Sequence, residues 1–393
     1  MVVSENLLNK CLDDIISKKN IFSTVLRVES GDGSFAWVGS RGEMQPDSKY
    51  FIASVTKLYV TAVVMSLIEE GKLSLDEKIS KHLPGQLMEG LHVLKGVDYS
   101  DEITICHLIS NTSGLPDYFT HKEDGKPSGA YLLLQGRDDA WGLDKTIDSM
   151  KKMTPKFAPG KKGKAAYSDT NYQLLGKIIE TVTGEDIGDV FQKYIFDKLG
   201  LFSTYAFNDI ADKEPAPLYY KDRQLWLPNY MMSITSEGGI VSTADEVMAF
   251  LKAFFSGRFF PKEKIEGLKK WNLLLPPPGL FYFGIGLEKT PTPRIVSLRK
   301  PINEIIGFWG QTSSFAWYNP DADLYFTGTA NQIDGTGHRA AMKAIIRPVR
   351  KLLHTISFGA RFSQFLPKNG AKTAASYHAK KLVQQGFRTG LLR

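Results

Sequence analysis

The sequence predicts an α/β (α+β) fold: a mainly antiparallel sheet flanked by helices, interrupted by an inserted all-helical lobe. Two observations predict it. Strand-like segments with period-two or continuous apolar patterning cluster near the two ends of the chain, about residues 22–52 and 281–330. The segment between them reads mostly as helices and loops, so a helical insertion between two halves of one sheet explains the order economically.

The elements follow in order. Residues 4–18 carry Leu7, Leu8, Leu12, Ile15 and Ile16 at helical spacing. Phe22 to Val28 and Phe35 to Val38 read as strands around the turn signal Gly31-Asp32-Gly33. Lys49 to Ile52 is a short extended lead into an apolar helix in which, from Leu58 to Ile68, only Thr61 and Ser66 are polar. Leu73 to Ile79 contains Ser-Leu-Asp-Glu, a helix start. Thr104 is expected to cap a short helix ending at Ser110, and a further helix is expected near Lys145 to Met153. Tyr172 to Val182 should end at Gly184, and Ile187 to Leu199 at Gly200. A glycine turn at residues 237–243 precedes a helix from Asp245 to Phe255. Phe281 to Leu287, Ile295 to Leu298, Ile305 to Trp317 and Leu324 to Ala330 read as strands, and Arg339 to Leu353 as the last helix. The expected sheet lobe is thus about 1–52 and 240–354, and the helical lobe about 53–239.

At 393 residues, 42% hydrophobic and 23% charged, the chain has the composition of a globular protein with a large core. The net charge of +7 is carried by a tail. Residues 355–393 hold Arg361, Lys368, Lys372, Lys380, Lys381, Arg388 and Arg393 and no acidic residue, whereas residues 1–354 are balanced. No nucleic-acid partner is therefore expected. The tail is read as flexible, without structure of its own except for a helix near Ala379 to Gln385, and able to touch an anionic surface. Two cysteines, Cys11 and Cys106, exclude a disulfide framework. With no signal-like N-terminus and no long apolar span, a cytoplasmic location is expected.

The chemistry begins at Ser54-Val55-Thr56-Lys57, a Ser-x-x-Lys at the head of the apolar helix. Three residues along a helix return a side chain to nearly the same face, so Ser54 and Lys57 can meet. Serine also suits an N-cap, but a capping box would put Glu or Gln at 57. An apolar core and a helix N-terminus both disfavour an ammonium, which suits a lysine there to take a proton from serine. The motif is short, and by itself it leaves both readings open.

Further motifs resolve the choice. They are Ile103-Thr-Ile-Cys-His-Leu-Ile-Ser-Asn-Thr-Ser-Gly-Leu115, Phe157-Ala-Pro-Gly160, Tyr167-Ser168-Asp169 with Asn171-Tyr172, Gly238-Gly-Ile-Val-Ser-Thr243, and Gly284-Ile-Gly-Leu287. In this order, with Ser54-Val-Thr-Lys57, the chain resembles the serine β-lactamase-like superfamily over roughly residues 10–352. That superfamily includes class C β-lactamases, D-Ala-D-Ala carboxypeptidases and related esterases and D-aminopeptidases. The resemblance implies a β-lactamase/transpeptidase-like fold, with Ser54 as nucleophile, Lys57 as its activating partner and Tyr167 as proton shuttle. A tyrosine between two cations has a stabilised phenolate, which is the expected reason for that role.

Two departures from the family pattern bear on substrate. The family's Tyr-x-Asn is Tyr167-Ser168-Asp169 here, and an ionised Asp169 cannot donate a hydrogen bond but can pair with Lys57. A second register reads Ser168-Asp169-Thr170 as a relic of Ser-Asp-Asn; Tyr167 and Asn171-Tyr172 favour the first. The family's Lys-Thr-Gly or His-x-Gly aligns with Phe308-Trp309-Gly310-Gln311. Gly310 is kept, and the oxyanion hole implied is the amides of Ser54 and Gln311. The cation that meets a substrate carboxylate is replaced by Phe308 and Trp309. Asp169, Phe308, Trp309 and Gly310 are thus the expected substrate-binding residues. Tyr118, Phe119, Tyr219, Tyr220, Trp226 and Tyr230 are expected near the mouth.

The seven histidines show no ligand spacing, so no metal is expected, and no nucleotide loop or Gly-x-Ser-x-Gly elbow is present, so no cofactor is expected. The expected activity is acyl-enzyme hydrolysis of a small neutral or apolar ester or amide, ester before β-lactam. The alternatives are a D-aminopeptidase or carboxypeptidase-like amidase, and a catalytically weak binding protein.

Overall fold

The computed structural model describes residues 3–120, 127–275, 281–292 and 301–364, with side chains as far as 355. The chain divides into residues 1–352 and 353–393, and the candidate site lies wholly in the first. The strand expected at Ile295 to Leu298 and the helix expected near Ala379 to Gln385 fall outside the described residues.

An eight-stranded antiparallel sheet joins the two ends of the chain. Its spatial order is Asn272–Leu275, Phe281–Phe283, Glu288–Lys289, Ile306–Trp309, Ser314–Asn319, Leu324–Thr329, Ser23–Ser30 and Ala36–Gly42. The N-terminal hairpin docks on the C-terminal strands through the register Val25↔Thr329 to Ser30↔Leu324. The helices Glu5–Ile16 and Ala244–Ser256 pack on this sheet.

The region between the two sheet halves is mainly helical, with short ladders at Val93–Asp98 and Leu218–Leu225. The helix Asp169–Thr183 ends at Gly184, whose φ of 73° is the left-handed cap that glycine adopts without strain. Thr104 caps Ile105–Ile109 by accepting from the His107 N–H, and the His107 ring accepts from the Thr104 N–H in return.

The structure corrects several expected elements. No helix starts at Ser74, because the backbone there pairs with a neighbouring segment: Cys106 N–H donates to Leu75 O, Ile105 N–H to Glu77 O, and Ile79 N–H to Ile103 O. The strand Ile240–Ser242 was not expected within the glycine turn; it lies between Tyr50–Phe51 and Tyr205–Ala206 in a separate small sheet. The expected strand Phe281 to Leu287 is broken by a turn that Gly284 N–H closes on Leu287 O at 2.8 Å. Ile305 to Trp317 is likewise a hairpin, turning at 310–313. The last helix is longer than expected, Thr336–Gln364.

The helix Thr56–Glu69 is the centre of the core, with every residue from Thr56 to Leu67 buried. A helix apolar all round must be enclosed. Each fully buried Leu or Val there contributes about 1.5–3 kcal/mol by leaving water. Two of its buried hydroxyls donate to backbone carbonyls: Thr61 Oγ1 to Lys57 O at 2.8 Å, and Ser66 Oγ to Phe259 O at 3.1 Å. Tyr59 stacks on Phe250.

Candidate active site

The backbone positions Ser54 before any side chain acts. Tyr50–Phe51 pairs with Ile240–Ser242, and Ile52 N–H donates to Ile240 O at 3.0 Å. Ala53 then takes φ 46°, a left-handed conformation rare for a residue with a side chain. One short 3₁₀ turn, Ala53–Val55, follows and passes into the core helix. The hairpin turn at 310–313 is fastened to the same segment: Thr312 Oγ1 donates to Phe51 O at 3.0 Å and Ser314 Oγ to Ile52 O at 2.6 Å. A Cβ at Gly310 would run into Ser314 Oγ and the Ile52 carbonyl, so the turn approaches this closely only with glycine.

Ser54 Oγ accepts from Lys57 Nζ at 3.1 Å and from the Tyr167 hydroxyl at 2.9 Å. Lys57 is fully buried. Its ammonium also donates to the Glu237 carbonyl at 2.7 Å and forms an ion pair with Asp169 Oδ1 at 2.7 Å. The ring centroids of Tyr167 and Tyr172 each lie 5.2 Å from the nitrogen.

The electrostatics differ from the sequence expectation at one point. Among the described residues Tyr167 has one cation beside it, Lys57, rather than two. Burial, then the charges of Asp169 and Glu288, push its phenol well above the usual tyrosine range. With one lysine nearby and carboxyls beyond it, the phenol stays a donor to Ser54 and its phenolate is not stabilised.

Several carboxyls near Lys57 were not picked out from the sequence. Glu237 is buried; its Oε1 accepts from the Tyr118 hydroxyl and, at 3.3 Å, from Gln173 Nε2. Burial, reinforced by Asp169, pushes this carboxyl well above its ordinary range. Asp117 accepts from the Asp169 N–H at 3.3 Å and is pushed up to about 6 by burial, with Asp169 adding to it. Glu288 accepts from the Trp309 N–H at 2.8 Å, and burial pushes it up too. Asp117, Glu237 and Glu288 each lie within or beside a quoted motif, but their burial depends on contacts far along the chain.

A small cavity of about 50 Å³ opens beside Ser54. Ser54, Asp169, Glu237, Gln311 and Thr312 line it with Phe119, Leu133, Leu218, Tyr230, Met231, Ile234 and Ile333. Among the described residues of its lining there is no Lys, Arg or His.

Phe308 and Trp309 are not among the lining residues, which corrects their expected contact with substrate. Alternation along the strand sends them to opposite faces. Phe308 is fully buried and meets Phe283 edge to face, behind Tyr167. Trp309 packs on Phe315, Trp317 and His338. Of the aromatics expected at the mouth, Phe119 and Tyr230 reach the cavity. Tyr118 is committed to Glu237, Tyr219 to Phe22 and Glu43, and Trp226 to Phe51 and Phe207.

Comparison with known proteins adds the following. A family profile described as Beta-lactamase matches residues 20–351. A putative D-alanyl-D-alanine carboxypeptidase of Escherichia coli (strain K12) is 30% identical over 162 residues, 41% of this chain and 34% of that protein. Penicillin-binding protein 4 of Amycolatopsis lactamdurans is 28% identical over 221 residues, 52% of this chain and 50% of its own. The matches thus span a third to a half of the length of these curated relatives. Among solved structures, a D-stereospecific amidohydrolase from Streptomyces sp. superposes with TM-score 0.71 at 23% identity, over 87% of this chain and 98% of that one. EstCE1, a hydrolase with promiscuous acyltransferase activity, gives TM-score 0.71 at 19% identity, over 88% and 97%. The fold is β-lactamase/transpeptidase-like.

Proposed function

The chain belongs to the Beta-lactamase family, and on that premise we propose that it is a serine hydrolase that forms an acyl-enzyme on Ser54. The observation that carries this reading is the contact of Ser54 Oγ with both Lys57 Nζ and the Tyr167 hydroxyl beside an open cavity. Ser54 attacks a carbonyl carbon, and its proton passes to Lys57. For that, Lys57 first yields a proton to Asp169, a transfer that desolvation by bound substrate favours because it turns a buried ion pair into a neutral one. The proton that Lys57 took is returned to the departing oxygen or nitrogen by way of Tyr167, whose hydroxyl gives one proton and takes one, so that no phenolate is left. The N–H groups of Ser54 and Gln311 receive the negative charge that develops on the carbonyl oxygen. Water then releases the acid.

The substrate is a small neutral or apolar ester or amide. The lining supports this: it is largely apolar and, in its described residues, offers carboxyls and no cation to a substrate carboxylate. An ester is favoured over an amide because an alkoxide leaves more readily than an amine. A second reading, an amidase for amino-acid amides, is supported by Asp169, a carboxylate in the cavity lining that suits an ammonium group. The free Cys11 and Cys106 suit a reducing compartment such as the cytoplasm.

The test is intact mass after treatment with a fluorophosphonate, for the parent and for Ser54→Ala. An adduct on the parent that the variant lacks supports the hydrolase. No adduct on the parent at high probe concentration sinks it and leaves a binding protein. Initial rates on a short-chain p-nitrophenyl ester, an amino-acid p-nitroanilide and a chromogenic β-lactam then rank the substrate classes.

A further inference from the structure

We infer that His338, on the last helix and outside the catalytic constellation, is a positioning residue for the oxyanion hole. The inference rests on the hydrolase reading above. Its observation is a hydrogen bond: His338 Nε2 lies 2.9 Å from the carbonyl oxygen of Gly310. A carbonyl only accepts, so Nε2 carries the proton.

In a planar trans peptide the C=O of one residue and the N–H of the next point in opposite directions. Gly310 C=O and Gln311 N–H belong to one such peptide. By holding the oxygen on the side of the last helix, His338 turns the Gln311 N–H the other way. Gln311 shares the cavity with Ser54, and its N–H donates to no acceptor among the described residues. An unpaired donor with a fixed direction beside the nucleophile is what a developing oxyanion requires.

The rest of the turn leaves His338 little freedom. Its Nδ1 lies 3.2 Å from Ser313 Oγ, which donates to the Gln332 carbonyl. Its ring meets Trp309 edge to face at 5.2 Å. Ser313 holds φ 57°, a strained left-handed conformation that such contacts maintain. The other side of the turn is tied to Phe51 and Ile52 by Thr312 and Ser314. The Gly310–Gln311 peptide is therefore gripped from both sides. Burial holds the imidazole down at about 4, so it remains a neutral Nε2–H donor through the working pH range.

Two variants of the full-length protein test this. His338→Phe keeps a ring against Trp309 and removes the donor; His338→Gln replaces the ring and keeps a donor at a similar reach. Both are followed by ester-hydrolysis kinetics, by the rate of phosphonylation with a fluorophosphonate, and by thermal melting. For His338→Phe, kcat and the phosphonylation rate should fall roughly 10- to 100-fold with KM within about twofold, as a displaced oxyanion donor demands. His338→Gln should recover most of that loss, and both variants should melt near the parent. A His338→Phe variant as fast as the parent overturns the inference. So does a loss that His338→Gln fails to recover, or one that tracks a fall in melting temperature. A parent that never reacts with the probe overturns the hydrolase reading and this inference with it; a reactive parent beside an equally reactive His338→Phe overturns this inference alone.

Discussion

Lys57 Nζ lies 2.7 Å from Asp169 Oδ1, with the lysine side chain wholly out of water and the carboxylate 14% exposed. An ammonium so enclosed needs its counter-charge. Removing one member of a buried pair is more costly than never having had the pair, because the other charge is left uncompensated. Asp169→Ala should lower stability by about 3 kcal/mol. Asp169→Asn should cost less, because its carbonyl still accepts from the ammonium. Urea denaturation of the two variants beside the parent checks the order; equal losses would show that the charge is not what matters.

Tyr167 is a donor to Ser54, and burial with the nearby Asp169 and Glu288 outweighs what favours its phenolate. Tyr167→Phe should therefore lower kcat by roughly 100- to 1,000-fold, the usual weight of a positioned proton donor, and change KM little. Because burial and two carboxyls push the phenol upward, Tyr167 should contribute no ionisation to the pH–rate profile below about pH 10. An alkaline limb in that range that vanishes in Tyr167→Phe would contradict this.

Asp117 gives a pH dependence to stability. Its folded carboxyl is pushed from 3.8 to about 6, so between those values the folded state holds its proton more tightly than the unfolded chain does. The stabilisation from that protonated group is complete below pH 3.8 and is lost as pH rises through about 6. Asp117→Asn stays neutral throughout. Its stability relative to the parent should improve by roughly 2–3 kcal/mol from pH 4 to pH 7, measured as melting temperatures of both proteins across that range.

Gly310 tests the close approach of the turn to the nucleophile's strand. A methyl group there has to displace Ser314 Oγ or the Ile52 carbonyl. Gly310→Ala should lose about 1–3 kcal/mol of stability and, by shifting Gln311, most of its hydrolytic rate. A variant that keeps the parent's melting temperature and kcat would mean that the turn has room to move.

What could be read in the chain follows from how local each signal is. The core helix was legible because it is apolar on every side, and Gly184 marked a helix end by its own conformational freedom. Ser54 and Lys57 were legible because helical geometry alone brings them together. The lost helix at Ser74 and the strand Ile240–Ser242 were not, because each backbone is claimed by a partner far along the chain. Phe308 and Trp309 were expected in the substrate cavity, but strand alternation and the packing of Phe283 and His338 turned them away from it.

The sequence by itself determined the fold class, the family resemblance and the residues that meet at Ser54, since these depend on periodicity and on motifs whose members lie close together or in a fixed order. Only the tertiary structure decided the charge state of the site. Burial depends on everything packed around a group, and packing brings Asp169, Glu237 and Glu288 around Lys57, with Asp117 against Asp169, from four separate segments. That enclosure keeps Tyr167 protonated, leaves Glu237 and Glu288 poorly able to ionise, and lines the cavity with carboxyls and apolar side chains.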